Sequence, residues 1–261
     1  MSNYDNVLLE QYVNVYNNIN SKYEEKYGKH FSSDGIFNPR VYFTFERPKV
    51  MMLLKENKNS GEWNPVDDVN NEYKLYHSKD NNSHCWAPNI IRTVQYIVNE
   101  GEWWINVPII KDEAQIKSSD KYVTGFAYFN IKKLDEGIKI SDDKNLTCNA
   151  KNDRDLICPL FKACIPDVVF CCCKKNKNKV HSPLASLLKE LLNPKVCEDA
   201  NNYQIICYRN GDVVMKSVLV DWFHPSRNGF TKKEMYNHLS VIRPKVIEVM
   251  KENSSHLSKI D

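Results

Sequence analysis

Leu8, Leu9, Tyr12, Val15, Tyr16 and Ile19 recur at three-and-four spacing, so residues 4–27 predict an amphipathic helix that stops before Gly28. The run Val50 to Leu54 is different, because it is apolar at every position, as in a strand covered on both faces. Residues 57–83 then turn polar and rich in Asn, Asp and Gly while keeping Trp63, Tyr73 and Tyr76. A loop of that length inside a domain is usually a functional one. Pro88 opens a helix in PNIIRTVQYIVNEGEWW, where proline is tolerated early. The strand GFAYFNIKK, the helix NDRDLICPLFKACI, the strand PDVVFCCC, the helix SPLASLLKELL and the strands YQIICYR and VLVDWF follow in order. TKKEMYNHLSVIRPKVIEVM closes the chain as a helix expected to break near Pro244.

Strands that alternate with helices predict an α/β fold in three α/β/α layers around a mostly parallel central sheet. We expect a single domain over residues 1–261, with an N-terminal helical cap over about residues 1–40 and a long active-site loop over residues 57–83. Sheets of this kind bind ligands beyond the carboxyl ends of their strands. No internal repeat is visible.

Composition narrows the classes. At 261 residues and 42% hydrophobic content the chain can bury one substantial core. A net charge of +3 is too small to mark a nucleic-acid binder by itself, since phosphate capture depends on local clusters. KKNKNK at 174–179 is the dense basic run, and it suits either a solvated loop or a phosphate contact. MSNYDNVLLEQYVNVYN lacks the basic-then-apolar layout of a signal peptide, so the nine cysteines are expected to be reduced thiols in a cytoplasmic protein. No apolar run approaches the roughly 20 residues of a membrane span. No CxxC pair of the zinc type occurs, and Cys171, Cys172 and Cys173 sit in a run that suits a buried strand, so neither metal nor cofactor is expected.

Three strands end in polar clusters. Val50 to Leu54 runs into Lys55, Glu56, Asn57 and Lys58; GFAYF runs into Asn130, Ile131, Lys132 and Lys133; VLVDWF runs into His224, Pro225 and Ser226. If the three strands are parallel, a carboxylate, two amides and a histidine line one cleft. Each has a plainer reading: Asn130 can end a strand, Lys55 and Glu56 can form a solvated pair, and His224 can mark a sheet edge. A rival to the last cluster is His181-Ser182-Pro183-Leu184, although Ser182 and Pro183 suit the start of a helix.

This order of an apolar strand with a polar tip, a strand ending in Asn130, a strand from Pro166-Asp167 and a last strand ending in His224-Pro225-Ser226 resembles the uracil-DNA glycosylase superfamily. The likeness covers most of residues 45–240 as an order of elements, and in letters it rests on the His-Pro-Ser and Phe-Asn strand ends. It implies a glycosylase fold acting on DNA, as a monomer and without metal. By the same likeness Asn57 positions the hydrolytic water, Glu56 serves as a base, and Asn130 and His224 meet the departing nucleobase. Trp86 matches the aromatic platform for a flipped base, with Trp63 as the alternative. Ser226 matches a phosphate contact, Arg227 matches the loop that enters the duplex, and Lys174 and Lys175 would steer the backbone. The family's first motif carries a glycine and a proline where this chain has Lys55 and Lys58. Uracil-specific members have a bulky tyrosine where this chain has Asn59, which implies room for a base larger than uracil, such as a 5-modified cytosine or uracil of phage DNA.

The chemistry can be stated apart from the likeness. Cleavage of an N-glycosidic bond passes through an oxocarbenium-like sugar, which calls for an oriented water, negative charge near the sugar and hydrogen bonds to the leaving base. An Asn amide can pair with a pyrimidine edge through donor and acceptor together. Other readings are a DNA-binding module that lost catalysis, a uracil-excising repair enzyme, and a nucleoside hydrolase.

Overall fold

A computed structural model describes residues 3–28, 34–43, 47–55, 86–98, 125–132, 143–173, 181–224 and 232–257. Helix α1 (Asn3–Tyr27) ends at Gly28, whose φ of +62° is the left-handed conformation that closes a helix at low cost in glycine. Strand β1 (Gly35–Ile36) and the short helix α2 (Pro39–Tyr42) lead into β2 (Val50–Leu54). Helix α3 (Trp86–Val98), strand β3 (Ala127–Asn130), helices α4 (Asp143–Asn152) and α5 (Arg154–Cys164), and strand β4 (Val168–Cys172) follow. Helix α6 (Pro183–Leu192), strands β5 (Lys195–Asp199), β6 (Tyr203–Asn210) and β7 (Val213–Trp222), and helix α7 (Lys232–Leu257) complete the described elements.

The strands form one sheet in the order β1-β3-β2-β4-β7-β6-β5. Its centre, β3-β2-β4-β7, is parallel, whereas β1 runs antiparallel to β3, and β6 and β5 extend β7 as an antiparallel ribbon. The expected α/β class holds, but the sheet is mixed rather than mostly parallel. The reason lies in the last third of the chain, where a two-residue turn at Gly211-Asp212 joins β6 to β7 as a hairpin, and a hairpin can only be antiparallel.

Side chains of β2, β3, β4 and β7 alternate between two apolar clusters. Met51, Leu53, Phe129, Val169, Cys171 and Leu219 meet α1, α4, α5 and α6 on one face. Val50, Met52, Leu54, Tyr128, Phe170, Cys172, Val220 and Trp222 meet α3 and α7 on the other. Burial on both faces explains why β2 reads VMMLL with no polar position. Phe170 and Trp222 pack edge to face at 5.2 Å, which ties the ends of two neighbouring strands.

Two further expectations change, and one strand is added. Helix α7 runs through Pro244 without a break, because Leu239, Ile242, Val246 and Val249 bury one continuous stripe on the sheet and offset the hydrogen bond that proline removes. Strand β5 was not visible as a strand in the sequence. Cys197 and Cys207 are not free thiols but form a disulfide between β5 and β6, beside the register shift at Val196/Glu198. Cys171, Cys172 and Cys173 are buried as expected. No helix among the described residues is long and apolar enough to cross a membrane.

Candidate functional site

Because β2, β3, β4 and β7 are parallel, their carboxyl ends share one edge of the sheet. Phe129, Leu53, Cys171 and Asp221 form one register row across all four strands, and Asn130 pairs with Leu54 one step nearer the edge. The ladder between β3 and β2 continues beyond the strands, since Ile131 N donates to Leu54 O and Lys132 N to Lys55 O, each at 2.9 Å. The tip of β2 and the tip of β3 therefore leave the sheet side by side.

Asn130 is the most constrained polar side chain at this edge. Its backbone N donates to Asp34 Oδ2 at 3.0 Å and its Nδ2 donates to Asp34 Oδ1 at 2.8 Å. Both residues are buried. The remaining atom, Asn130 Oδ1, is buried and meets no donor among the described residues. Lys132, two residues on, is also buried, which is rare for a lysine.

On the α6 side of the same edge lies a second polar group. Asp221 accepts from Ser182 N at 2.6 Å through Oδ1 and from His181 Nδ1 at 2.9 Å through Oδ2. His181 Nε2 then lies 3.2 Å from Asp199 Oδ1 and 3.2 Å from Gln204 Nε2. Ser182 caps α6 by accepting from Leu184 N, with Pro183 at the first position. The His181 segment thus has the helix-starting role its letters suggest, with the added job of pairing a buried carboxylate. Among the described residues no group of three or more His, Cys, Asp and Glu side chains converges as a metal site. Burial pushes the Cys171 and Cys172 thiols well up, so neither supplies a thiolate at the end of β4.

The site residues expected from sequence divide accordingly. Asn130 is described and lies at the carboxyl edge. His224 is exposed, two residues past the end of β7. Trp86 is the first residue of α3, while its side chain falls outside the described set. Glu56, Asn57, Asn59, Lys174, Lys175, Ser226 and Arg227, together with the loop 57–83, lie outside the described residues.

Sequence reasoning missed Asp34 and Asp221. Asp221 had left a signal, since a charged residue inside the apolar run VLVDWF must be paired if buried. Asp34 left none, because its partner is 96 residues away and the strand that follows it is two residues long.

Family models, curated protein sequences and solved structures were compared with the chain, and none matches it.

Proposed function

We propose that this protein is a DNA glycosylase that takes a modified or deaminated pyrimidine out of the stack and hydrolyses its N-glycosidic bond. The observation that carries the reading is the parallel run of β2, β3 and β7 to one edge, with the buried Asn130 amide beside the tip of β2. That arrangement suits the chemistry: a base-reading amide, the neighbouring tip of β2 from which a water-orienting residue can be offered, and the tip of β7, beyond β4 on the same edge, for a leaving-group partner.

In this reading Asn130 pairs with the edge of the flipped base and Trp86 stacks on its face. Asn57 orients the attacking water, Glu56 removes its proton, and His224 stabilises the negative charge that the departing base acquires. Water oxygen bonds to C1′ of the sugar as the bond from C1′ to the base nitrogen breaks, and the base leaves with the electron pair. Asn59 leaves space at the pyrimidine 5 position, and Ser226, Arg227, Lys174 and Lys175 hold the DNA backbone. A 5-hydroxymethylated or glucosylated cytosine of phage DNA is the substrate favoured by that space, which makes the activity one of defence.

Incubating the purified protein with duplexes carrying uracil, 5-hydroxymethylcytosine or glucosylated 5-hydroxymethylcytosine, followed by alkali, tests the proposal. Strand breaks at the modified position are expected. Intact strands with every substrate would overturn it.

The second reading is a DNA-binding module without catalysis, favoured by the lysines that stand at 55 and 58. The pair Asn57→Ala and His224→Ala separates the two: loss of cleavage with DNA affinity retained supports the enzyme, and unchanged biological activity of the double variant supports the binding module.

A further inference from the structure

Asn130 offers three N–H donors and one carbonyl acceptor at its backbone N and side-chain amide, and Asp34 decides how they are used. Two donors of Asn130 point at the two oxygens of one carboxylate, Oδ2 at 3.0 Å and Oδ1 at 2.8 Å. The backbone contact holds the carboxylate in place and the amide contact sets the orientation of the side chain, because exchanging Oδ1 with Nδ2 would set the Asn130 carbonyl against a carboxylate oxygen. The atom left over is a buried acceptor with no donor among the described residues. An orphaned buried acceptor costs about 1–3 kcal/mol when left dry, so its retention calls for an explanation. A ligand N–H supplies one.

We infer, resting on the glycosylase reading, that Asp34 is a positioning residue that locks the Asn130 carbonyl toward the base, so that the enzyme selects a pyrimidine carrying an exocyclic 4-amino group over its 4-keto counterpart. The two classes present opposite patterns on one edge. A 4-amino pyrimidine has a donor at position 4 and an acceptor at N3, whereas a 4-keto pyrimidine has an acceptor at position 4 and a donor at N3. A freely rotating amide serves both by turning over. An amide locked by a carboxylate serves one, and the negative charge of Asp34 behind Nδ2 disfavours a keto oxygen placed against that nitrogen. The amino group meets Oδ1 and the ring N3 accepts the second Nδ2 hydrogen, which satisfies every polar atom of Asn130.

Asp34 touches Asn130 rather than the base, so its role shows in selectivity. The measurement is the single-turnover excision rate from two duplexes identical except for 5-hydroxymethylcytosine or 5-hydroxymethyluracil at one position, for the wild type and for Asp34→Asn. The wild type is expected to prefer the amino base by at least about tenfold, the discrimination of one good two-point contact. Asp34→Asn, confirmed as folded by its thermal melt, is expected to bring that ratio close to unity, because the amide introduced in place of the carboxylate can donate to the Asn130 carbonyl and permit the flipped orientation. Equal wild-type rates, or a preference for the keto base, overturn the inference while the glycosylase reading stands. A folded Asp34→Asn variant with the wild-type ratio also overturns it and leaves Asp34 a structural cap. Excision of neither base removes both the inference and the reading on which it rests.

Discussion

Asp167 at the amino edge of the parallel strands and Asn130 at the carboxyl edge differ in how completely they are paired. At the amino edge Asp167 accepts from Lys49 N at 2.8 Å and from Asn253 Nδ2 at 2.8 Å. Asn253 also accepts from Lys216 N at 2.9 Å and donates to Lys216 O at 3.0 Å, and Ser217 donates its hydroxyl to Pro166 O. The network closes on itself and ties α7 to β7 and β4. At the carboxyl edge Asn130 Oδ1 is buried and meets no donor among the described residues. A closed network holds strands in place, whereas an open one is stable only if something else completes it. On the glycosylase reading, Asp167 serves structure and Asn130 serves recognition.

The largest expected effect is on stability at the amino edge. Asp167→Ala leaves Lys49 N without its acceptor and Asn253 Nδ2 with Lys216 O alone, and is expected to cost about 3 kcal/mol in urea unfolding, while Asn130→Ala, which removes an orphan and one donor to Asp34, is expected to cost about 1 kcal/mol. The same Asn130→Ala substitution is expected to lower the rate of base excision by about 10²-fold, the effect of deleting one well-placed polar group from a transition state. If both variants unfold the protein equally, the two edges are alike and the comparison fails.

An intermediate effect belongs to the His181 group, which lies at the carboxyl edge yet is nearly all paired. His181→Ala is expected to cost about 1 kcal/mol through the lost partner of Asp221 and to leave the excision rate within about twofold. A large fall in excision with an unchanged melt would move this group into the site.

Acid titration gives a slighter contrast. Burial raises the Asp167 carboxyl above its ordinary range, partly opposed by the charge of Lys49 and by its hydrogen bonds. The folded state then holds that proton at pH values where the unfolded chain has released it. This contribution is fully present below the ordinary carboxylate pKa and declines as pH rises through the raised value. Glu198 behaves in the opposite way, because Tyr203 and Lys245 donate to it and lower its pKa, so its contribution is present above the ordinary value and is lost as pH falls. Asp167→Asn is expected to abolish the first slope in stability measured against pH. Glu198→Gln, at a mostly exposed pair with Lys245, is expected to cost about 0.5 kcal/mol or less and to remove the second.

Much of the α/β architecture was legible in the chain because burial on both faces leaves an all-apolar signature. VMMLL and VVFCC declare themselves as central strands, and the three-and-four spacing of Leu8, Tyr12 and Ile19 declares α1. KVCED was not legible as β5, since an edge strand exposed on both sides carries no apolar pattern. Pro244 misled for the converse reason: a local rule for helices gave way to the packing of a long apolar stripe. In the candidate site Asn130 could be picked from its place at the end of a strand, and Asp221 from its charge in an apolar run.

By itself the sequence determined which segments are buried on both faces, where strands stop, and that Asn130 ends one of them, because periodicity and residue type are local properties. Only the tertiary structure decided the direction of β5 and β6, the Cys197–Cys207 pairing and the contact of Asp34 with Asn130. Each depends on residues brought together from distant or differently oriented segments, and no local pattern encodes how two such segments meet.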